Sequence, residues 1–290
     1  MMGFRALDPV PEKGIMVGVD GRQFHVLRRG EGRPVVLLHG NGGLAQEILG
    51  AFPETPGICW IAPDRPGYGY SDALPDGEQD PQSQAQWLDA VLSVLMIQEA
   101  VVVAHSLAAA VAVSLAASNP SRVSRLVLLA PFCRPTPQRL MLGLRLTTLP
   151  VIGTLVRTII VPFLARRFRR QLIFSIMGPQ IPQWVQNFPV EHAVQPKAVK
   201  TIAAELTSFN HAMERLAPSL NVLVPVSILH GSKDTTAVFD WQIPWLLRHL
   251  DDWDFTLLKN CGHAVHHESP QLVIQTVLCR QKQAFRQLNA

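Results

Sequence analysis

A chain of 290 residues that is 48% hydrophobic and 17% charged can bury a large core, and for α/β architectures this length commonly makes a single domain with an insertion. Its four cysteines, Cys59, Cys133, Cys261 and Cys279, are too widely spaced to read as a disulfide framework. The N-terminal stretch lacks the apolar run of a signal peptide, so a cytoplasmic protein is expected.

A β-hairpin is expected around Asp20-Gly21, and strands near residues 34–38, 57–63, 100–104, 124–130, 225–230 and 253–258. Helical patterns alternate with them, over Gln82 to Met96, Leu107 to Ala117, Trp241 to Leu250 and Pro270 to Leu288. That layout predicts a mostly parallel sheet flanked by helices on both faces. The alternation stops after Pro131 and resumes near Asn221. Residues 133–220 therefore read as an inserted helical segment between two pieces of one core, 1–132 and 221–290.

The chemistry is carried by the ends of these strands. The β-rich run Val101-Val-Val-Ala breaks at His105-Ser106 into an alanine-rich helical run, which places a serine on a tight strand-to-helix turn. There its hydroxyl projects above the sheet edge, while the next amide points into the site at the positive end of a helix. Pro34-Val-Val-Leu-Leu38 runs into the flexible loop His39-Gly-Asn-Gly-Gly43, able to turn a backbone N–H toward the same place. Such a donor stabilises a tetrahedral oxyanion by about 3–4 kcal/mol. Pro225-Val-Ser-Ile-Leu delivers Asp234, and Phe255-Thr-Leu-Leu258 is followed by Asn260-Cys-Gly-His263. A nucleophile, an acid and a base thus follow three strands in the order Ser106, Asp234, His263.

With that order the chain resembles the α/β-hydrolases over nearly its whole length. The resemblance is carried by His39-Gly-Asn-Gly-Gly43, Asp64-Arg-Pro-Gly-Tyr-Gly-Tyr-Ser-Asp72, Ala104-His-Ser-Leu-Ala108, His230-Gly-Ser-Lys-Asp234 and Gly262-His263 with Glu268-x-Pro270. It implies the α/β-hydrolase fold, with 133–220 as a cap over the serine. It further implies that Ser106 attacks, His263 takes its proton, Asp234 fixes the imidazole tautomer, and the amides of Asn41 and Leu107 bind the oxyanion. No cofactor is implied.

The usual elbow pattern Gly-x-Ser-x-Gly is relaxed here, with Ala104 and Ala108 in place of both glycines. One added methyl at each site predicts slightly wider strand-to-helix packing. In this family a serine at the elbow argues against haloalkane dehalogenases and epoxide hydrolases, which use aspartate there. His105, His230, His266 and His267 show no helical His-x-x-x-His spacing and no Cys/His cluster beside carboxylates, so no metal site is expected. The His39–Gly43 loop lacks the ending of a phosphate loop. Asp64, Arg65 and Asp72 read as loop-structuring groups, and Cys261 as a buried inert thiol.

The net charge of +4 conceals an asymmetry: between Glu99 and Glu191 there are ten arginines, no lysine and no acid. They are interleaved with aliphatics, as in Thr158-Ile-Ile-Val-Pro-Phe-Leu-Ala-Arg-Arg-Phe-Arg-Arg170. Arg145, Arg157, Pro150 and Pro162 interrupt the apolar stretches, which excludes a spanning helix. Nucleic acid is not expected, because polar base-reading neighbours are missing. Two readings stay open for the cap: peripheral contact with anionic lipid, or an ordinary lid whose basic side is solvated. Phe163, Phe168, Phe174, Met177, Trp184 and Phe188 are candidates to line an apolar acyl or aryl pocket, or equally core residues.

The expected activity is a cofactor-independent serine hydrolase cleaving a small carboxylic ester of apolar character through an acyl-enzyme. The alternatives are a carbon–carbon bond hydrolase or cofactor-free perhydrolase of aromatic compounds and, outside catalysis, a ligand-binding or accessory protein on a hydrolase scaffold.

Overall fold

The computed structural model describes residues 13–136, 147, 149, 151–168, 171, 188–279 and 286–289. Among the described residues nine strands form one sheet: β1 (Ile15–Val19), β2 (Arg22–Arg29), β3 (Arg33–Leu38), β4 (Ile58–Pro63), β5 (Ala100–His105), β6 (Val123–Leu129), β7 (Val226–Gly231), β8 (Trp253–Lys259) and β9 (Arg286–Asn289). Their order is β1-β2-β4-β3-β5-β6-β7-β8-β9, antiparallel at β1/β2 and β2/β4 and parallel from β4 onward. The hairpin closes where expected, with Asp20 and Gly21 both at positive φ (48° and 75°), as a two-residue turn between twisted strands requires.

The central strands are runs of Val, Leu, Ile and Ala because they are covered on both faces. β4, β5 and β7 are buried at every position. Alternate residues serve opposite layers: Val36, Leu38, Val102 and Ala104 pack with α2 (Pro81–Val94) and α3 (Ala108–Ser118), while Val35, Leu37, Val101 and Val103 pack with α1 (Ala45–Gly50). α2 starts where Asp80 Oδ1 accepts from the amides of Gln82 (2.9 Å) and Ser83 (3.1 Å), with Pro81 in the first turn.

The described parts of the β6–β7 connection are α4 (Ile152–Leu155), a π-turn (Val156–Ile160), α5 (Val161–Arg167), α6 (Val190–Ala193) and α7 (Pro196–Leu216). α7 is anchored to the body of the protein, since Phe209, Met213 and Leu216 join the core shared by α2 and α3. The way into the connection is fastened too. Gln242 Oε1 accepts from the amides of Cys133 (2.8 Å) and Arg134 (2.7 Å), and Thr136 exchanges hydrogen bonds with Asn210 of α7 (2.9 Å each way).

Three expectations are corrected. Phe163 and Phe168, candidates for a pocket lining or for the core, are exposed and are not core residues. The inward side of their helix is given to Gly153 and Ala165, small residues that let it approach its neighbours, which leaves the bulky ones outside. Phe188 packs instead with Ala165, Val190 and Ala264, whereas Phe174, Met177 and Trp184 lie outside the described residues. The helix expected over Trp241 to Leu250 is α8 (Phe239–Leu246) followed by a single 3-10 turn, Leu247–His249. After α9 (Val265–Glu268) the last described helix, α10 (Pro270–Leu278), is shorter than expected, and Arg286–Asn289 pairs with the open edge of β8 as a strand.

Candidate active site

β5 ends at His105, and Ser106 then takes φ +56°, a left-handed conformation that costs a residue with a Cβ on the order of 1–3 kcal/mol. Backbone hydrogen bonds hold it there. Ser106 N–H donates to Leu129 O (2.9 Å), and Ser106 O accepts from Ala109 N–H (3.0 Å) and Phe132 N–H (3.0 Å). α3 begins two residues later. Ser106 is 8% exposed, and Ala104 and Ala108, where glycines are usual, are fully buried in the α2/α3 core, so the alanines are accommodated.

The loop after β3 lies against this turn. A Cβ on Gly40 would sit 3.2 Å from Ser106 Cβ and 3.0 Å from His105 Nδ1, so glycine is needed there for close approach rather than for an unusual φ. His39 Nδ1–H donates to Gly40 O (2.9 Å) and its Nε2 accepts from Arg65 N–H (2.9 Å). Both nitrogens are therefore assigned in the neutral ring, and burial, aided by the Arg65 charge, lowers its pKa to about 4.

Beyond β7, Asp234 Oδ1 accepts from the amides of Thr236 (2.8 Å) and Ala237 (3.0 Å), while Oδ2 accepts from His263 Nδ1–H (2.7 Å). Burial pushes the Asp234 carboxyl up, but the hydrogen bond and charge of His263 outweigh it and hold the group below the usual carboxylate range. Asp240, the other acid of this region, is exposed. With the proton fixed on Nδ1, His263 keeps a bare lone pair on Nε2, the arrangement a general base needs. His263 is also tied to the Ser106 turn, because His105 Nε2–H donates to His263 O (3.0 Å) and the two rings lie 4.7 Å apart.

The structure thus gathers Ser106, His263 and Asp234 with the Asn41 loop at the carboxyl ends of β3, β5, β7 and β8, where open parallel sheets bind ligands. Leu107 follows Ser106 at the start of α3 with helical φ and ψ (−59°, −29°). The Asn41 side chain is turned the other way and donates to Glu205 Oε2 (2.8 Å) and Tyr68 Oη (3.2 Å). Cys261 is buried, its thiol pushed up to about 12 by burial and by Glu268, so it is inert near neutrality.

Two buried clusters around the site were not read from the sequence. Arg65 is fully buried and paired with Glu205 of α7 through two hydrogen bonds (2.8 and 3.1 Å). Tyr68 Oη–H (2.8 Å) and Gln84 Nε2 (3.0 Å) also donate to that carboxylate, and Arg65 Nε donates to His39 O (2.8 Å). Beneath His263, Nε2–H of both His266 and His267 donates to Glu47 Oε1 (2.7 Å each), and the His266 ring lies tilted at 58° to that of His105, 4.5 Å away. The expectation that these histidines have no carboxylate beside them is corrected: Glu47 arrives from some 220 residues away in sequence.

The sequence matches the model of the alpha/beta hydrolase family over residues 35–276. It is 36% identical over 125 residues to 2-hydroxymuconate semialdehyde hydrolase of Pseudomonas putida, a match covering 41% of this chain and 43% of that enzyme. The chain therefore spans less than half the length of that relative. To AB hydrolase superfamily protein YisY of Bacillus subtilis it is 25% identical over 250 residues, 84% of this chain and 90% of the relative. Among solved structures, the esterase EaEST from Exiguobacterium antarcticum superposes with a TM-score of 0.70 at 20% identity, covering 91% of this chain and 98% of that one, a likeness of fold. The chain belongs to the alpha/beta hydrolase family.

Proposed function

We propose that this hydrolase cleaves a hydrophobic carboxylic ester through an acyl-enzyme formed on Ser106. The observation that carries the reading is the oriented pair behind a strained serine: Ser106 at φ +56°, and His263 held by Asp234 in the tautomer that leaves Nε2 free. His263 takes the Ser106 proton as Oγ attacks the carbonyl carbon, and returns it to the leaving alcohol. It then activates the water that releases the acid. Asp234, kept ionised, stabilises the imidazolium formed in each half-reaction. The amides of Asn41 and Leu107 are assigned to the oxyanion. The β6–β7 connection acts as the cap, fastened beside His263 where Ala165, Phe188 and Val190 pack on Ala264.

A p-nitrophenyl ester series from acetyl to palmitoyl tests this. The expected result is turnover that rises with acyl length to a medium or long chain; equal inactivity on every ester would overturn it. The partial likeness to 2-hydroxymuconate semialdehyde hydrolase favours a second reading, a carbon–carbon bond hydrolase. Turnover of 2-hydroxymuconate semialdehyde with no ester turnover would select it.

A further inference from the structure

The helix from 152 to 167 presents an apolar side to solvent. Val151, Ile152, Leu155, Ile159, Phe163 and Phe168 are all exposed, Val151 at 82% and Phe163 at 63%. The spacing 152, 155, 159, 163 keeps its members on one side of the helix, and the opposite side is closed by buried Gly153 and Ala165. Contiguous apolar surface of this kind marks a place where something binds.

The charge around it says what. The helix carries three arginines, Arg157, Arg166 and Arg167, and no acid. α5 ends in Arg166-Arg167; Arg166 pairs with Glu191 (2.6 Å), and Arg167 is exposed with its guanidinium 5.3 Å from the Phe168 ring. An arginine beside aliphatic and aromatic side chains lays its stem along apolar surface and offers its fork to a phosphate. A second copy of the chain suits the patch poorly, because a twofold contact would bring the exposed Arg167 and Phe168 against a surface of the same charge. Among the described residues no helix is long and apolar enough to cross a membrane.

We infer that this helix docks flat on an anionic lipid surface, its apolar side at the acyl boundary and Arg167 among the phosphates. The test is co-sedimentation of the full chain with phosphatidylcholine vesicles, with and without about one-third phosphatidylglycerol. Binding is expected to be about tenfold or more stronger with the anionic lipid, and to weaken with salt. The Ile159→Ser/Phe163→Ser double variant, its fold checked by circular dichroism, should bind about tenfold less well, and so should Arg167→Glu. The arginine variant decides the matter if the double variant fails to fold. Absence of binding to either vesicle, or binding that no variant weakens, would overturn the inference. So would a gel-filtration dimer that Ile159→Ser/Phe163→Ser converts to monomer without any vesicle binding, which would assign the patch to a second copy.

Discussion

Ser106→Ala is expected to lower kcat/KM for the preferred ester by about a thousandfold or more, with the fold unchanged. Oγ is the atom that forms the covalent bond, and nothing else in the proposed scheme can replace it. The alanine keeps the backbone hydrogen bonds to Leu129, Ala109 and Phe132 that hold the turn. His263→Ala should cost a similar factor, since a serine without its base is not a nucleophile at neutral pH. The double variant should be little worse than either alone, because nucleophile and base act as one unit. Steady-state kinetics on the three proteins check this; additive losses would mean that the two residues work separately.

Glu205→Ala is expected to destabilise the protein by about 3–5 kcal/mol, measured as a fall in the urea unfolding midpoint. Arg65 would remain fully buried with its counter-charge gone, and the donors of Tyr68, Gln84 and Asn41 would lose their acceptor together. Replacing both charges by apolar residues, Arg65→Met with Glu205→Leu, should cost less than Glu205→Ala alone, because no buried ion is stranded. The same carboxylate steadies Asn41, whose backbone N–H we propose as an oxyanion donor, and it fixes α7 to the loop after β4. Glu205→Ala should therefore lower kcat as well as stability.

Much of this architecture was legible in the sequence for a physical reason. Strands buried on both faces must be runs such as Val101-Val-Val, and the residues that do chemistry must follow them at the sheet's edge. Ser106, Asp234 and His263 stand out on that ground, and Asn41 and Leu107 through their place in the motifs. Glu205 did not stand out, since a lone acid within a helix reads as a solvated group until its partner, 140 residues away, is known. A faint signal is present: at helical spacing Glu205 shares its face with Ala198, Ile202, Phe209 and Ala212. His266 and His267 were dismissed because their carboxylate lies on α1. Arg286 to Leu288 read as the end of the last helix because these residues favour helix locally, whereas the free edge of β8 offers them backbone hydrogen bonds. Phe163 and Phe168 read as pocket or core residues because large apolar side chains are usually buried, a tendency that these two exposed residues do not follow.

The central claim is that Ser106 is an activated nucleophile. Brief exposure of the native protein to a fluorophosphonate, followed by peptide mass spectrometry, tests it most directly. One covalent phosphonyl group on the peptide containing Ser106, absent in Ser106→Ala and lost on prior unfolding, is the predicted result. A folded protein that takes up no label there, or takes it up on another residue, would contradict the account.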